Sequence, residues 1–476
     1  MIQQKQNIDK AQILLDNREI DPPKRNEKRE KIRAMIFSGV VSLAMFIIIM
    51  ITLPQTVLSF NGLFVYASIV ALVIFLFILL FRYFSILVLA YLNTTKYTVE
   101  EYDNYFPFVS IIVPVYNEDK VVKQSIESLL NLDYPNYEII VVNDGSTDGT
   151  AEVADEMVGY QKGRTSMVKV SLINKPNGGK AKALNAGIQY SDAEFTVSVD
   201  GDSKLSEDTL KMGIRHFVNP AIGAVAGNVK VLNRGKMLTD LQALEYVEGL
   251  NLARFAQGMV KMVNIIPGPI GIFRKKALRS AGFYSSDTFA EDADLTLKML
   301  ATGWKVIYEP RSISYTEAPE KFLQLLKQRY RWTRGILQAI RKHKKHIYNP
   351  TLNFNNTLIL WSMFYESLVW PAMNILANLF FIIVGVFFHM SALVVFWWIG
   401  IMALDMMAAI YCLAVEKEEF RLVFYAFIYR LIFILMIDIT KAMATIEEFL
   451  GIEMNWGKLE RIGLDKAEAQ KAASAA

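Results

Sequence analysis

Phe108-Val-Ser-Ile-Ile-Val-Pro-Val-Tyr116 is the stretch that decides the fold. It is a short β-branched run without helical spacing, and it opens directly onto the polar pair Asn117-Glu118. Such a run reads as a strand buried on both faces. Working outward, Glu118–Leu130 has helical periodicity, and Tyr137-Glu-Ile-Ile-Val-Val-Asn143 repeats the strand pattern. Glu152–Val158 reads as helix, Lys169–Asn174 as strand, Ala181–Gln189 as helix and Glu194–Val199 as strand. Strands alternating with helices predict an α/β domain with a mainly parallel sheet and helices on both faces. Ligands of such sheets sit at the carboxyl ends of the strands, where the polar motifs of this chain fall.

The chain has 476 residues, and 53% of them are apolar, too many for one soluble domain. The excess lies in blocks at both ends. Residues 1–34 are a polar leader with the basic run Lys24–Arg29, which places the leader in the cytoplasm. Within 35–92, Met35–Leu53 and Leu63–Tyr83 are apolar runs of about 20 residues, enough to cross the hydrocarbon core. They predict a transmembrane hairpin that returns the chain to the cytoplasm and to a catalytic domain over 93–318. Residues 319–346 form a charged amphipathic segment. Phe322, Leu325, Leu326 and Tyr330 mark one face, and Lys and Arg crowd the other, ending in Arg341–Lys345. This predicts a helix in the membrane interface. In the region 357–450, Thr357–Phe388 and Ala392–Val415 are further spans. Leu422–Ile437 is short and carries Arg430, with Asp438 and Lys441 following. Charges at that depth are costly. Residues 421–450 are therefore expected to enter and turn back, or to lie along the inner face. Residues 451–476 form a final segment and tail.

The net charge is +4, with no basic stripe interleaved with aromatics, which speaks against a nucleic-acid partner. The lone Cys412 excludes disulfides, and the four histidines lack ligand spacing.

Five motifs carry chemistry. Pro114, Tyr116 and Glu118 follow the first strand, and Asn143-Asp144-Gly145 follows the second. Asp144 can accept hydrogen bonds from a base or ribose. Asn174–Asn185 is a glycine turn feeding a helix, with Lys180 and Lys182 at its start, a setting suited to a diphosphate. Asp200-Gly-Asp202 places two carboxylates after a buried strand, where they can hold Mg²⁺ or Mn²⁺ against substrate phosphates. Ala290-Glu-Asp-Ala-Asp-Leu295 heads a helix. A cap explains such carboxylates by itself, and the functional alternative is a general base. Gln328-Arg-Tyr-Arg-Trp332 puts Gln328, Arg331 and Trp332 on one helical face, able to meet phosphates and stack on a sugar. An interfacial Trp/Arg anchor is the bland alternative.

In this order the set resembles the family 2 inverting glycosyltransferases of GT-A fold. Gln-x-x-Arg-Trp narrows the resemblance to membrane synthases of the cellulose, hyaluronan, chitin and poly-N-acetylglucosamine type. The resemblance implies a GT-A domain inserted between N-terminal and C-terminal transmembrane helices, in the plasma membrane. It implies that Asp144 binds uridine, Asp200 contacts the nucleotide, Asp202 holds the metal and Asp292 is the base, with Glu291 beside it. Gln328, Arg331 and Trp332 would bind the diphosphate and the acceptor end. Pro267–Arg274, with Gly268 and Pro269, looks like the acceptor-side loop of hyaluronan synthases. Trp456, Gly457 and Lys458 resemble their gating segment, although Lys458 replaces the usual Thr and Ala290 departs from the usual Thr before Glu-Asp.

The activity implied is metal-dependent transfer from a UDP-sugar to a growing polysaccharide, with export. Membrane lipid is a further partner, and room is left for a small membrane accessory subunit. UDP-N-acetylglucosamine is the first donor choice, because the 290–295 helix start and Thr316–Pro319 look more like the poly-N-acetylglucosamine branch. UDP-glucose is the second. A β-glucan synthase, an enzyme that adds one sugar to a lipid, and a non-catalytic scaffold are the competing readings. The intact Asp200, Asp202 and Asp292 argue against the scaffold.

Overall fold

The computed structural model describes residues 105–350, 353–387 and 391–453, with scattered positions between 77 and 92. The leader 1–34, most of the expected hairpin 35–92, and Trp456, Gly457 and Lys458 lie outside the described residues.

The centre is one nine-stranded sheet. Its strands are β1 (Val109–Val115), β2 (Tyr137–Asn143), β3 (Gly159–Lys162), β4 (Met167–Asn174), β5 (Phe195–Ser198), β6 (Ser203–Leu205), β7 (Ile222–Val231), β8 (Gly271–Arg274) and β9 (Lys305–Thr316), in the spatial order β3-β4-β2-β1-β5-β8-β7-β9-β6. The strands β4, β2, β1 and β5 run parallel. Every residue of β1, β2 and β5 is buried, as expected for largely apolar strands covered on both faces, and the polar Ser110 and Glu138 satisfy each other at 2.7 Å. Beyond β5 the sheet becomes mixed. β8 is antiparallel to both β5 and β7, whereas β7 and β9 are parallel. The parallel half matches the expectation, and the mixed half extends it.

The helices that matter for the site are α1 (Val122–Leu130), α2 (Lys180–Tyr190), α3 (Glu291–Ala301) and α4 (Phe322–Lys342). α1 begins at Val122, so Glu118 sits in the loop after β1 and not in the helix that was expected to start there. α2 lies directly on the parallel strands. A β-carbon at Gly187 would stand 2.4 Å from Ile112 Cγ2, so only glycine permits that approach.

Among the described residues, three helical stretches are long and apolar enough to cross a membrane: Phe354–Ile383, Trp398–Glu416 and Phe420–Leu450. The third corrects the expectation of a turn-back. It is one continuous helical run that starts as a 3₁₀ turn, widens to a π turn at Tyr429–Phe433 and ends at Leu450. Both of its ends are fastened to the α/β domain. At the start, Arg421 lies 3.5 Å from Asp240, and Glu418 pairs with Lys230 and Arg234 at 2.8 Å each. At the far end Arg334 of α4 donates to Glu448 at 2.7 Å and to the Ile452 carbonyl at 2.7 Å. Between them, Ala426, Tyr429, Phe433 and Ile437 pack with Leu241, Leu244 and Leu325 of that domain. The opposite face, including Phe424, Met443, Ile446 and Phe449, is exposed. The same helix also holds the other two apolar stretches, with Arg430 lying 3.1 Å from Asp405 and Asp438 accepting from Asn374 Nδ2 at 2.6 Å.

α4 also departs from the simple amphipathic picture. Arg329 and Arg334 are buried, because each is drawn into an ion pair, Arg329 with Glu245 and Arg334 with Glu448. Phe322 and Leu323 are exposed.

Candidate active site

The carboxyl ends of β4, β2, β1 and β5 lie side by side, so the four loops after them form one polar edge. Two of these loops are stitched together. Asn117, held at φ 51°, donates its N–H to Ser146 Oγ at 3.0 Å and accepts from Thr147 N–H at 2.7 Å. Glu118 N–H donates to Thr150 Oγ1 at 2.7 Å.

Asp144 is buried, and its carboxylate is occupied by its own chain. It accepts from Gly178 N–H at 3.0 Å and Gly179 N–H at 2.7 Å, and Lys175 pairs with it. It thereby shapes the glycine loop that opens α2. Lys175 was missed in the sequence, since it lies outside the helix start on which the phosphate argument rested. Pro114 is buried within β1, where its backbone lies beside Val142. Tyr116 is 40% exposed at the cleft edge, and Lys182 is exposed on the first turn of α2.

Lys180, the first residue of α2, joins the motifs. Its Nζ lies 2.5 Å from Asp200 Oδ1 and 3.6 Å from Glu291 Oε1. Burial alone would lower the Lys180 ammonium, but Asp200 and then Glu291 outweigh it and raise its pKa. Gly268 of the 267–274 loop closes over this pair. A β-carbon there would meet Lys180 Nζ at 2.8 Å and Asp200 Oδ2 at 3.3 Å. Asp202 is buried, with Ser203 Oγ donating to it at 3.4 Å. The Glu118 carboxylate lies against Gly201, between the two aspartates in sequence.

No group of three or more His, Cys, Asp or Glu side chains gathers as a metal cage among the described residues. Mg²⁺ is usually held by one or two carboxylates and completed by substrate phosphates. Asp200 and Asp202 fit that donor set.

Asp292 lies in the first turn of α3 and is partly buried. Its Oδ1 accepts from Ala293 N–H at 2.8 Å. Burial raises its pKa most, Glu291 raises it further, and Lys180, the Ala293 N–H and Arg331 pull it back, which leaves it at about 6. A carboxyl group poised there is suited to accept a proton near neutral pH. Asp294, two residues on, has a different task. It is fully buried, and His343 Nε2 at 2.9 Å, Lys342 Nζ at 3.0 Å and Lys298 Nζ at 3.3 Å surround its carboxylate. Burial would raise its pKa, but these partners hold it well below the usual carboxylate range.

α4 is set against α3 by close contact. A β-carbon at Gly335 would stand 2.6 Å from Ala290 N, so the two backbones touch where α3 begins. Gln328 is buried, and Arg331 and Trp332 are partly buried. The Arg329 guanidinium stacks 4.2 Å from the Trp332 ring centre and donates to Glu245 at 2.9 Å, so it fixes the indole. Arg329, Glu245 and Gly335 were not singled out in the sequence. The Arg-Tyr-Arg spacing offered one signal, a second arginine adjacent to the motif.

A model described as "Glycosyltransferase like family 2" matches residues 107–335, the span that holds the loops after the parallel strands, the start of α3 and Gln328–Trp332 of α4. Residues 107–335 are a glycosyltransferase family 2 domain. This glycosyltransferase domain is 34% identical over 228 residues to poly-β-1,6-N-acetyl-D-glucosamine synthase of Staphylococcus epidermidis, covering 48% of this chain and 54% of that protein. The synthase of the same name from Staphylococcus aureus strain COL is 31% identical over 228 residues, with the same coverage. The chain thus spans about half the length of the curated relatives it matches. Among solved structures, the mannosyltransferase PcManGT of Pyrobaculum calidifontis, in complex with GDP-Man and Mn²⁺, superposes with a TM-score of 0.54. It is 20% identical, and the match covers 78% of this chain and 96% of that one. The shared fold is GT-A.

Proposed function

We propose that this chain transfers N-acetylglucosamine, with inversion, from UDP-N-acetylglucosamine to the end of a growing β-linked polysaccharide. The observation that carries this is Asp292, raised to about 6 by burial and by its neighbour Glu291, the carboxylate that meets Lys180 opposite Asp200. An acceptor hydroxyl gives its proton to Asp292 Oδ2, because Oδ1 already accepts from Ala293. The hydroxyl oxygen attacks the anomeric carbon, and the bond to the diphosphate breaks. UDP leaves towards Lys180 and Arg331, whose charges stabilise it. One displacement at an α-linked donor gives a β-linkage. Asp202, with Asp200, is the residue that would hold Mg²⁺ or Mn²⁺, and such an ion supplies Lewis-acid stabilisation of a departing diphosphate. The Mn²⁺ in the related mannosyltransferase supports that assignment.

Trp332, braced by Arg329, is the platform for the acceptor sugar. Gln328 supports the same subsite, and Gly268 and Pro269 close its donor side. The names of the staphylococcal relatives support the choice of sugar. The domain lies on the cytoplasmic face, where UDP-sugars are found, and helices Phe354–Ile383 and Trp398–Glu416 carry the chain across the membrane and back. Product export, with Trp456, Gly457 and Lys458 as its gate, completes the proposal.

The test is to incubate the purified chain with individual UDP-sugars and Mg²⁺ or Mn²⁺ and to size the product. A long polymer from UDP-N-acetylglucosamine alone is expected. Polymer from another UDP-sugar refutes the choice of sugar, a singly glycosylated lipid refutes polymerisation, and no incorporation from any donor refutes the activity.

A further inference from the structure

Helix α4 ends at Lys342, and the run Arg341-Lys342-His343-Lys344-Lys345 continues from its last turn into a short helix Lys345–Tyr348, shortly before the membrane-length helix that starts at Phe354. These five residues face two ways. Lys342 and His343 turn inward. Lys342 donates to Asp287 at 2.8 Å and to Asp294 at 3.0 Å, and His343 shares a hydrogen bond with Asp294 at 2.9 Å. Arg341, Lys344 and Lys345 are exposed and have no ion pair among the described residues. Two aromatics follow on the surface, Tyr348 at 80% and Phe354 at 67% exposure.

We propose that Arg341, Lys344 and Lys345 bind the headgroups of anionic phospholipids, and that this attachment steadies the helix end that grips the catalytic helix α3. Unpaired cations beside a membrane-entering helix sit at headgroup depth. Each is worth about 1 kcal/mol at an anionic surface, or roughly fivefold in affinity. Exposed Tyr and Phe at the same level suit the interface between headgroups and acyl chains. A free phosphate ion has no use for them, and so a lipid is the ligand. The inward half of the same five residues holds Asp294, two positions from Asp292 on α3. Lipid contact and the position of the base are thus joined through one short segment. Asp294 is a positioning residue in this scheme.

The test compares the full chain with the variant carrying Arg341→Gln, Lys344→Gln and Lys345→Gln. In detergent, a fluorescent phosphatidylglycerol is titrated against a fluorescent phosphatidylcholine. The variant should lose phosphatidylglycerol affinity by on the order of 10²-fold if the three cations add, with phosphatidylcholine binding and melting temperature unchanged. Equal phosphatidylglycerol affinity in both proteins overturns the site. So does displacement of the lipid by inorganic phosphate as effective as by phosphatidylglycerol itself. In nanodiscs, wild-type turnover should be faster with phosphatidylglycerol present, and the variant should turn over at the wild-type phosphatidylcholine rate in both disc types. A wild type indifferent to lipid charge overturns the coupling. The binding arm stands apart from the transferase proposal, and the turnover arm rests on it. Normal lipid binding with no turnover in any disc would count against the transferase proposal alone.

Discussion

Replacing Asp292 by Asn removes the proposed base and keeps its shape, because Asn still accepts from Ala293 N–H. Its effects on rate and stability should be opposite. Burial, then Glu291, raise the Asp292 pKa from 3.8 to about 6. The native state therefore holds this proton over a pH range in which the unfolded chain has lost it. The stability that follows is complete below 3.8 and is lost as pH rises to about 6. At 1.36 kcal/mol per unit, the ionised carboxylate costs the native state up to about 3 kcal/mol at neutral pH, a ceiling because the group keeps some contact with solvent. Asp292→Asn should then melt higher than wild type at pH 7.5 and about equal to it near pH 3.8. Turnover should fall by about 10²-fold or more, while UDP affinity is retained through Lys180 and Asp200. Wild-type turnover should rise about tenfold per pH unit below 6 and level off above it, and this acid limb should vanish in the variant. The assays are UDP release against pH and thermal melting of the purified protein. Turnover within tenfold of wild type, or an unchanged acid limb, would show that Asp292 only caps α3.

Gly335→Ala places a methyl group against the Ala290 backbone at 2.6 Å, which pushes α4 off α3. A stability loss of about 1–3 kcal/mol is expected, with polymer synthesis falling more than UDP affinity; unchanged synthesis refutes the contact's importance. Asp202→Ala should weaken UDP binding measured by calorimetry in Mn²⁺ and change little in EDTA, and equal affinity with and without metal refutes the assignment. Cysteines at Lys417 and Glu453, after Cys412 is replaced, bracket the helix 420–450. Both should stay unlabelled by an impermeant maleimide in sealed cells, and labelling of only one of them would show that the helix crosses.

The motifs were legible in the sequence because each of them is local. A polar loop after a β-branched run, or a carboxylate at a helix start, is visible within about ten residues. The contacts that make these motifs one site are not local. Lys180 meets Glu291 from 111 positions away, and Arg329 meets Glu245 from 84. No periodicity encodes such distances. The mixed half of the sheet escaped for a similar reason. β9 contains Pro310 and slips register against β7 near Gly227, so its pattern is broken in the sequence. For the helix 420–450, apolar composition alone is consistent with a span. Its burial partners are needed to see that one of its faces packs on Leu241, Leu244 and Leu325 of the domain.

That helix acts as a strap, bound by Glu418 and Arg421 at one end and by Glu448 and Ile452 at the other. A strap anchored twice joins the parts it touches into one cooperative unit. A protease cut at exposed Lys417 would leave two fragments that stay associated, held by Arg334 and by the apolar seam at Leu241, Leu325 and Phe433. The catalytic and membrane parts of this protein should accordingly melt together, and neither should be recoverable as a folded piece without the other.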